Sequence, residues 1–172
     1  MVMRHLFLLS ISAFAILSFD TDGGNLPSIE LKTLDGSNFN TANISNDGKP
    51  IIICIWELSC KPCLAEFDQM ATKYAAWQKE TGVKVVAISV DDSRNYDRVK
   101  PLVRSKGWKF DFYQDKTREF ERASSVSYCP FTFILDGKGH IVYRKGAYVL
   151  GDEDLIYELV KKVAKGEMIE TD

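Results

Sequence analysis

Histidine is nearly missing from this 172-residue chain, and the two present, His5 and His140, stand far apart. A metal centre built from clustered Cys and His ligands therefore lacks half of its donor set. Four cysteines are too few to staple a scaffold of this length. The chain has no glycine-rich phosphate loop, no dinucleotide fingerprint and no aromatic-basic pattern suited to nucleic acid. Charge of one sign is lacking as well: 22 basic residues face 24 acidic ones, for a net charge of -2. That balance removes the electrostatic reason to expect a nucleic-acid partner. There is no internal repeat and no low-complexity tract. The longest apolar run, Leu6 to Phe19, falls short of the roughly 20 residues that a spanning helix needs.

That run follows Arg4 and His5 and stops at Asp20, the pattern of an export signal cut between Ser18 and Gly23. Residues 1–22 are assigned to the signal and residues 23–172 to one domain. No cysteine follows the run to take a lipid. The expectation is an exported, periplasmic or otherwise extracytoplasmic protein with no membrane anchor after cleavage, in a compartment where disulfide chemistry operates.

Along the domain, Ile29 to Leu34 alternates and meets the Asp35-Gly36 turn signal, which predicts an N-terminal β-hairpin. Ile51 to Trp56 is a continuous apolar run, as expected of a strand buried on both faces. Leu64, Phe67, Met70, Tyr74 and Trp77 then recur every three or four residues, predicting a helix that ends near Gly82. Val83 to Val90 reads as a second buried strand, and Val99, Leu102 and Val103 mark another helix. Phe110 to Tyr113 reads as an edge strand, and Lys116 to Ala123 as a turn or two of helix. Phe131 to Leu135 and Ile141 to Tyr143 flank a turn and form a hairpin. A last helix from Asp152 to Lys165 turns Leu155, Ile156, Leu159, Val160 and Val163 inward. The sum is α/β: a central mixed sheet with helices on both faces.

The chemistry concentrates at Cys60-Lys61-Pro62-Cys63, where the first buried strand hands over to its helix. Free N–H groups of an opening helical turn and the helix dipole stabilise an anion, so Cys60 is the expected nucleophile. Pro62 is tolerated because that turn needs no N–H from it. Lys61 adds positive charge beside the thiol. The spacing lets Cys63 reach back and resolve a mixed disulfide formed on Cys60. Zinc would require two more ligands, and an exposed helix start is a poor place for an inert staple. The pair reads as a redox couple with no cofactor and no resident metal.

Two separated motifs give the chain a family resemblance. Trp56, Cys60 and Cys63 match W-x-x-x-C-x-x-C, and Cys129-Pro130-Phe131-Thr132 matches a cis-proline motif followed by a strand. The chain resembles the thioredoxin superfamily, in particular exported thiol-disulfide oxidoreductases of the TlpA/ResA type. The resemblance implies a thioredoxin-like fold over residues 25–165 and protein disulfides as substrates. It implies a membrane-bound electron donor, reduction as the direction, and substrate docking at Cys129 and Pro130. It also exposes departures. Cys54 occupies the place of a buried Asp found in many thioredoxins. An acid after the second core strand, Asp92 in preference to Asp91, or Glu57 before the pair, is then expected to relay protons to Cys63. Trp56 is expected to line the rim of the site or to fill the core beneath it. Cys54 is expected to pack as a core residue, and a Cys54–Cys129 disulfide is conceivable. Cys129 would pack, trap a mixed disulfide or bind copper with the pair, so a copper-binding metallochaperone-like protein is the alternative function. A thiol peroxidase is disfavoured, because that family carries Thr or Ser where this chain has Glu57.

Overall fold

The computed structural model describes residues 24–169. The export-signal assignment falls on residues 1–22, outside the described residues. Seven strands form one mixed sheet: β1 (Glu30–Thr33), β2 (Asn38–Asn40), β3 (Ile51–Trp56), β4 (Lys84–Ser89), β5 (Asp111–Gln114), β6 (Phe131–Leu135) and β7 (Ile141–Gly146). Four α-helices accompany them: α1 (Lys61–Thr81), α2 (Tyr96–Lys106), α3 (Glu119–Ala123) and α4 (Asp152–Ala164). Strand order is β2-β1-β5-β4-β3-β6-β7. Strands β3, β4 and β5 run parallel, while β6, β7, β1 and β2 add antiparallel neighbours on either side.

Strand alternation divides the interior into two clusters. Ile52, Cys54 and Trp56 of β3, with Val85 and Ala87 of β4, meet side chains from α1, α2 and α4. Ile51, Ile53 and Ile55, with Val86 and Ile88, meet Phe120 of α3, Phe133, Leu135 and Leu31. All six residues of β3 are buried, which accounts for a run with no polar alternation. Helix α1 buries Cys63, Glu66, Phe67, Met70, Tyr74 and Trp77. It stops at Gly82, whose φ of 69° closes the helix with an N–H to the Gln78 carbonyl.

Two expectations are corrected. The strand at Asp111–Gln114 is internal rather than an edge, because β1 of the N-terminal hairpin pairs antiparallel with it at Lys32–Gln114 and Thr33–Tyr113. Leu155 is 48 % exposed and faces outward, since Ile156, Leu159 and Val160 fill the inner stripe of α4. No helix among the described residues is long and apolar enough to cross a membrane.

Candidate active site

The end of β3 delivers the chain directly into α1, and Cys60 is the cap residue of that helix. Its own N–H donates to the Glu57 carbonyl at 3.1 Å, and its Sγ accepts the Cys63 N–H at 3.2 Å. Cys60 and Cys63 form a disulfide, with Cys60 8 % exposed and Cys63 fully buried. Of the pair only Cys60 keeps any exposed surface, and the N–H aimed at its sulfur is the kind of donor that stabilises a thiolate. Pro62 lies in the first turn, where its missing N–H costs nothing. Lys61 is exposed and makes no ion pair among the described residues.

The Cys129–Pro130 peptide bond is cis and enters β6, the antiparallel neighbour of β3. Register Ile55–Phe131 sets this loop beside the β3–α1 junction. The Sγ atoms of Cys60, Cys63 and Cys129 all lie within 4.8 Å of one another. Cys129 is free, and its thiol is pushed up to about 11 by burial and then by the Glu57 and Glu121 carboxylates. Gly146 on β7 leaves room for the Tyr128 phenol, which a Cβ would overlap, so the loop before the proline lies close against that strand.

The acids are arranged differently from the expectation. Asp92 points outward and is held by Arg94 at 2.6 Å, which keeps its carboxyl below the usual range. Its neighbour Asp91 is the buried one, 4 % exposed. Asp91 accepts the Leu58 N–H at 3.0 Å and the Ser89 hydroxyl at 2.9 Å, tying the loop before Cys60 to the end of β4. Burial raises its carboxyl, and those two donors oppose the rise. The family resemblance favours Asp92, but burial continues past the end of β4 through Val90 to Asp91, where the Leu58 N–H and the Ser89 hydroxyl hold the carboxylate, and Asp92 is the first residue to emerge. Glu57 is engaged by the Arg118 guanidinium at 2.9 Å and by the Ser59 hydroxyl at 2.7 Å.

A fourth acid is not singled out by the sequence reading. Glu66 is 2 % exposed, one turn along α1 from Cys63. Its Oε1 accepts the Thr132 hydroxyl at 3.0 Å, and its Oε2 has no partner. Burial pushes this carboxyl up to about 7 against the opposing Thr132 hydrogen bond. A signal exists in the sequence: positions 63, 66, 67 and 70 share one helical face, and an acid on that apolar stripe is either paired or functional.

Cys54 is buried and free, 3.8 Å from the Thr132 hydroxyl, and burial raises its thiol well above the ordinary value. It packs within the cluster under α1 and forms no disulfide with Cys129. Trp56 is wholly buried and packs edge-on against Phe67, Trp108 and Phe112 at 5.3 to 6.1 Å. It is the floor of the site, not its rim.

Known proteins resemble this chain in sequence and fold. Residues 23–144 match the AhpC/TSA family. The thiol-disulfide oxidoreductase ResA of Bacillus subtilis is 28 % identical over 147 residues, covering 86 % of this chain and 78 % of that protein. The solution structure of an uncharacterized thioredoxin-like protein from Porphyromonas gingivalis superposes with a TM-score of 0.73 at 40 % identity, covering 81 % of this chain and 92 % of that one. StoA from Bacillus subtilis shares the fold, with a TM-score of 0.60 at 21 % identity over 77 % of this chain and 96 % of its own. The chain belongs to the AhpC/TSA family and, by its thioredoxin fold and its Cys60–Cys63 pair, is a thiol-disulfide oxidoreductase.

Proposed function

We propose that the protein is an exported reductase of protein disulfides, with Cys60 as nucleophile and Cys63 as resolving thiol. The observation that carries this reading is the disulfide at the start of α1, in which Cys60, the one member of the pair with exposed surface, receives the Cys63 N–H on its Sγ. In the reduced protein, the Cys60 thiolate attacks one sulfur of a client disulfide. The other client sulfur leaves as a thiolate, and a Cys60–client mixed disulfide remains. Cys63 then loses its proton and attacks Cys60 Sγ, expelling the second client thiolate and closing the Cys60–Cys63 bond. Two electrons pass from the pair to the client, and an external dithiol donor restores the thiols.

The proton of Cys63 is assigned here to Glu66. It lies on the same helical face, its Oε2 has no partner, and a carboxyl titrating near 7 is matched to proton exchange at neutral pH. Asp91 acts by position: its bond to the Leu58 N–H holds the loop from which Cys60 projects. Pro130 and the backbone of Cys129 border the pair and supply the surface for an extended client segment. The apolar run at Leu6–Phe19 supports export, and export into an oxidising compartment supports a membrane-bound dithiol as donor.

The test is turnover of a disulfide-bonded peptide by the reduced protein, with Cys60→Ser as the comparison. Stoichiometric reduction by wild type and none by Cys60→Ser is expected. Equal reduction by both would contradict the assignment.

A further inference from the structure

Three sulfurs meeting at one point exceed what two-cysteine exchange requires. The Cys129 thiol takes no part in the reaction above, yet its Sγ lies within 4.8 Å of both members of the pair. The position is fixed by two anchored segments. Cys60 and Cys63 open α1 at the end of β3, and Cys129 immediately precedes β6, which pairs with β3 along its length. A metal held about 2.3 Å from three thiolate sulfurs in a plane sets them about 4 Å apart. Breaking the Cys60–Cys63 bond frees both sulfurs to take up that spacing with the third.

We propose that the reduced protein binds one Cu(I) ion through the sulfurs of Cys60, Cys63 and Cys129. The proposal rests on the reading that the Cys60–Cys63 pair is reversibly reduced, and it adds a ligand function to the same site. Soft thiolates select Cu(I), which accepts a coordination number of three. Zn(II) in a closed site calls for four ligands, and among the described residues no imidazole completes this set: His140 sits on the β6–β7 turn, paired with Asp136.

Binding forms three S–Cu bonds and releases to solvent whatever protons those sulfurs carried, with no change in oxidation state. Oxidation of the pair removes two of the three ligands, so ion binding and a closed disulfide exclude each other.

The experiment is an anaerobic titration of the fully reduced protein with Cu(I) against a coloured Cu(I) chelator, with X-ray absorption at the copper edge on the loaded protein. One Cu(I) per chain, three sulfur neighbours, and protection of Cys60, Cys63 and Cys129 from alkylation are expected. Cys129→Ser should weaken binding by more than the roughly 10–100-fold that loss of an outer-shell partner costs. Cys54→Ala should leave it unchanged, since Cys54 lies outside the cluster. Two sulfur neighbours in the wild type, unchanged affinity in Cys129→Ser, or tighter binding of Zn(II) than of Cu(I) would overturn the proposal. A redox titration of the metal-free protein separates the two claims. A reversible Cys60–Cys63 couple without Cu(I) binding sinks this proposal alone, and absence of the couple sinks the reductase reading.

Discussion

Replacing Glu66 with Gln should make the protein more stable and less active, and both effects follow from one buried carboxyl. An ordinary Glu titrates near 4.5, whereas Glu66 in the folded chain titrates near 7. Below pH 4.5 the carboxyl is protonated in folded and unfolded chains alike and contributes no pH dependence. As pH rises from 4.5 to 7 the unfolded chain releases a proton that the folded chain retains, so stability falls across this window. The displacement is roughly 2.5 pH units at 1.36 kcal/mol each, so the loss amounts to about 3 kcal/mol and is complete above pH 7. Glutamine keeps the neutral shape and has no proton to lose. The difference in unfolding free energy between Glu66→Gln and wild type, both oxidised, should therefore rise by about 3 kcal/mol from pH 4.5 to pH 8. Denaturant unfolding at a series of pH values reads this difference, and titrations common to both proteins cancel. In the reduced Glu66→Gln protein, the substituted amide cannot accept the Cys63 proton. Resolution of a Cys60–client mixed disulfide should slow by about 10²–10⁴-fold, the usual contribution of a positioned base. Rapid acid quenching and mass analysis follow that intermediate. Parallel stability curves, together with unaltered resolution, would refute the role given to Glu66.

Cys63→Ser should halt exchange after the first attack, leaving a client attached to Cys60 and visible as a mass adduct; an adduct on Cys129 instead would place the nucleophile wrongly. Asp91→Ala should cost about 1–3 kcal/mol by leaving the Leu58 N–H and Ser89 hydroxyl without their acceptor. Asp92→Ala, which removes an exposed pair with the Arg94 guanidinium and an acceptor for the Arg94 N–H, should cost clearly less than Asp91→Ala. Paired urea melts compare the two, and equal losses would contradict the assignment of the buried acid. Trp56→Ala should destabilise by about 3–5 kcal/mol through the cavity left among Phe67, Trp108 and Phe112, measured in the same way.

The fold is legible wherever burial imposes a period. Ile51 to Trp56 and the 64-67-70-74-77 series each state their environment locally, and the structure places them accordingly. Strand β5 reads as an edge because its outer neighbour, β1, lies some eighty residues earlier in the chain, and such pairing leaves no mark in a short window. Leu155 illustrates a helix with more apolar positions than its inner face holds. At the site, the cysteine pair is visible because its spacing and its place at a strand–helix junction are local features. The acids are not. Whether Asp91 or Asp92 turns inward is decided by long-range partners, the Leu58 N–H above all, in a stretch buried on both faces that offers no alternation to read. Glu66 is hidden by its own chemistry: a charged residue type on a buried stripe invites assignment to solvent, and only the packing of α1 onto β3 and β6 reveals an enclosed carboxyl beside Thr132. The convergence of Cys129 with the pair depends on the long-range register of β6 on β3.

The most direct test of the central claim is a redox titration of the mature protein, alkylated at each poise and mapped by peptide mass. The account predicts one reversible two-electron couple, confined to Cys60 and Cys63, with a potential at or below about -200 mV, in the range of reducing dithiols. A couple near about -120 mV would mark an oxidant rather than a reductase. Preferential pairing of Cys129, or no reversible couple at all, would contradict the Cys60–Cys63 mechanism itself.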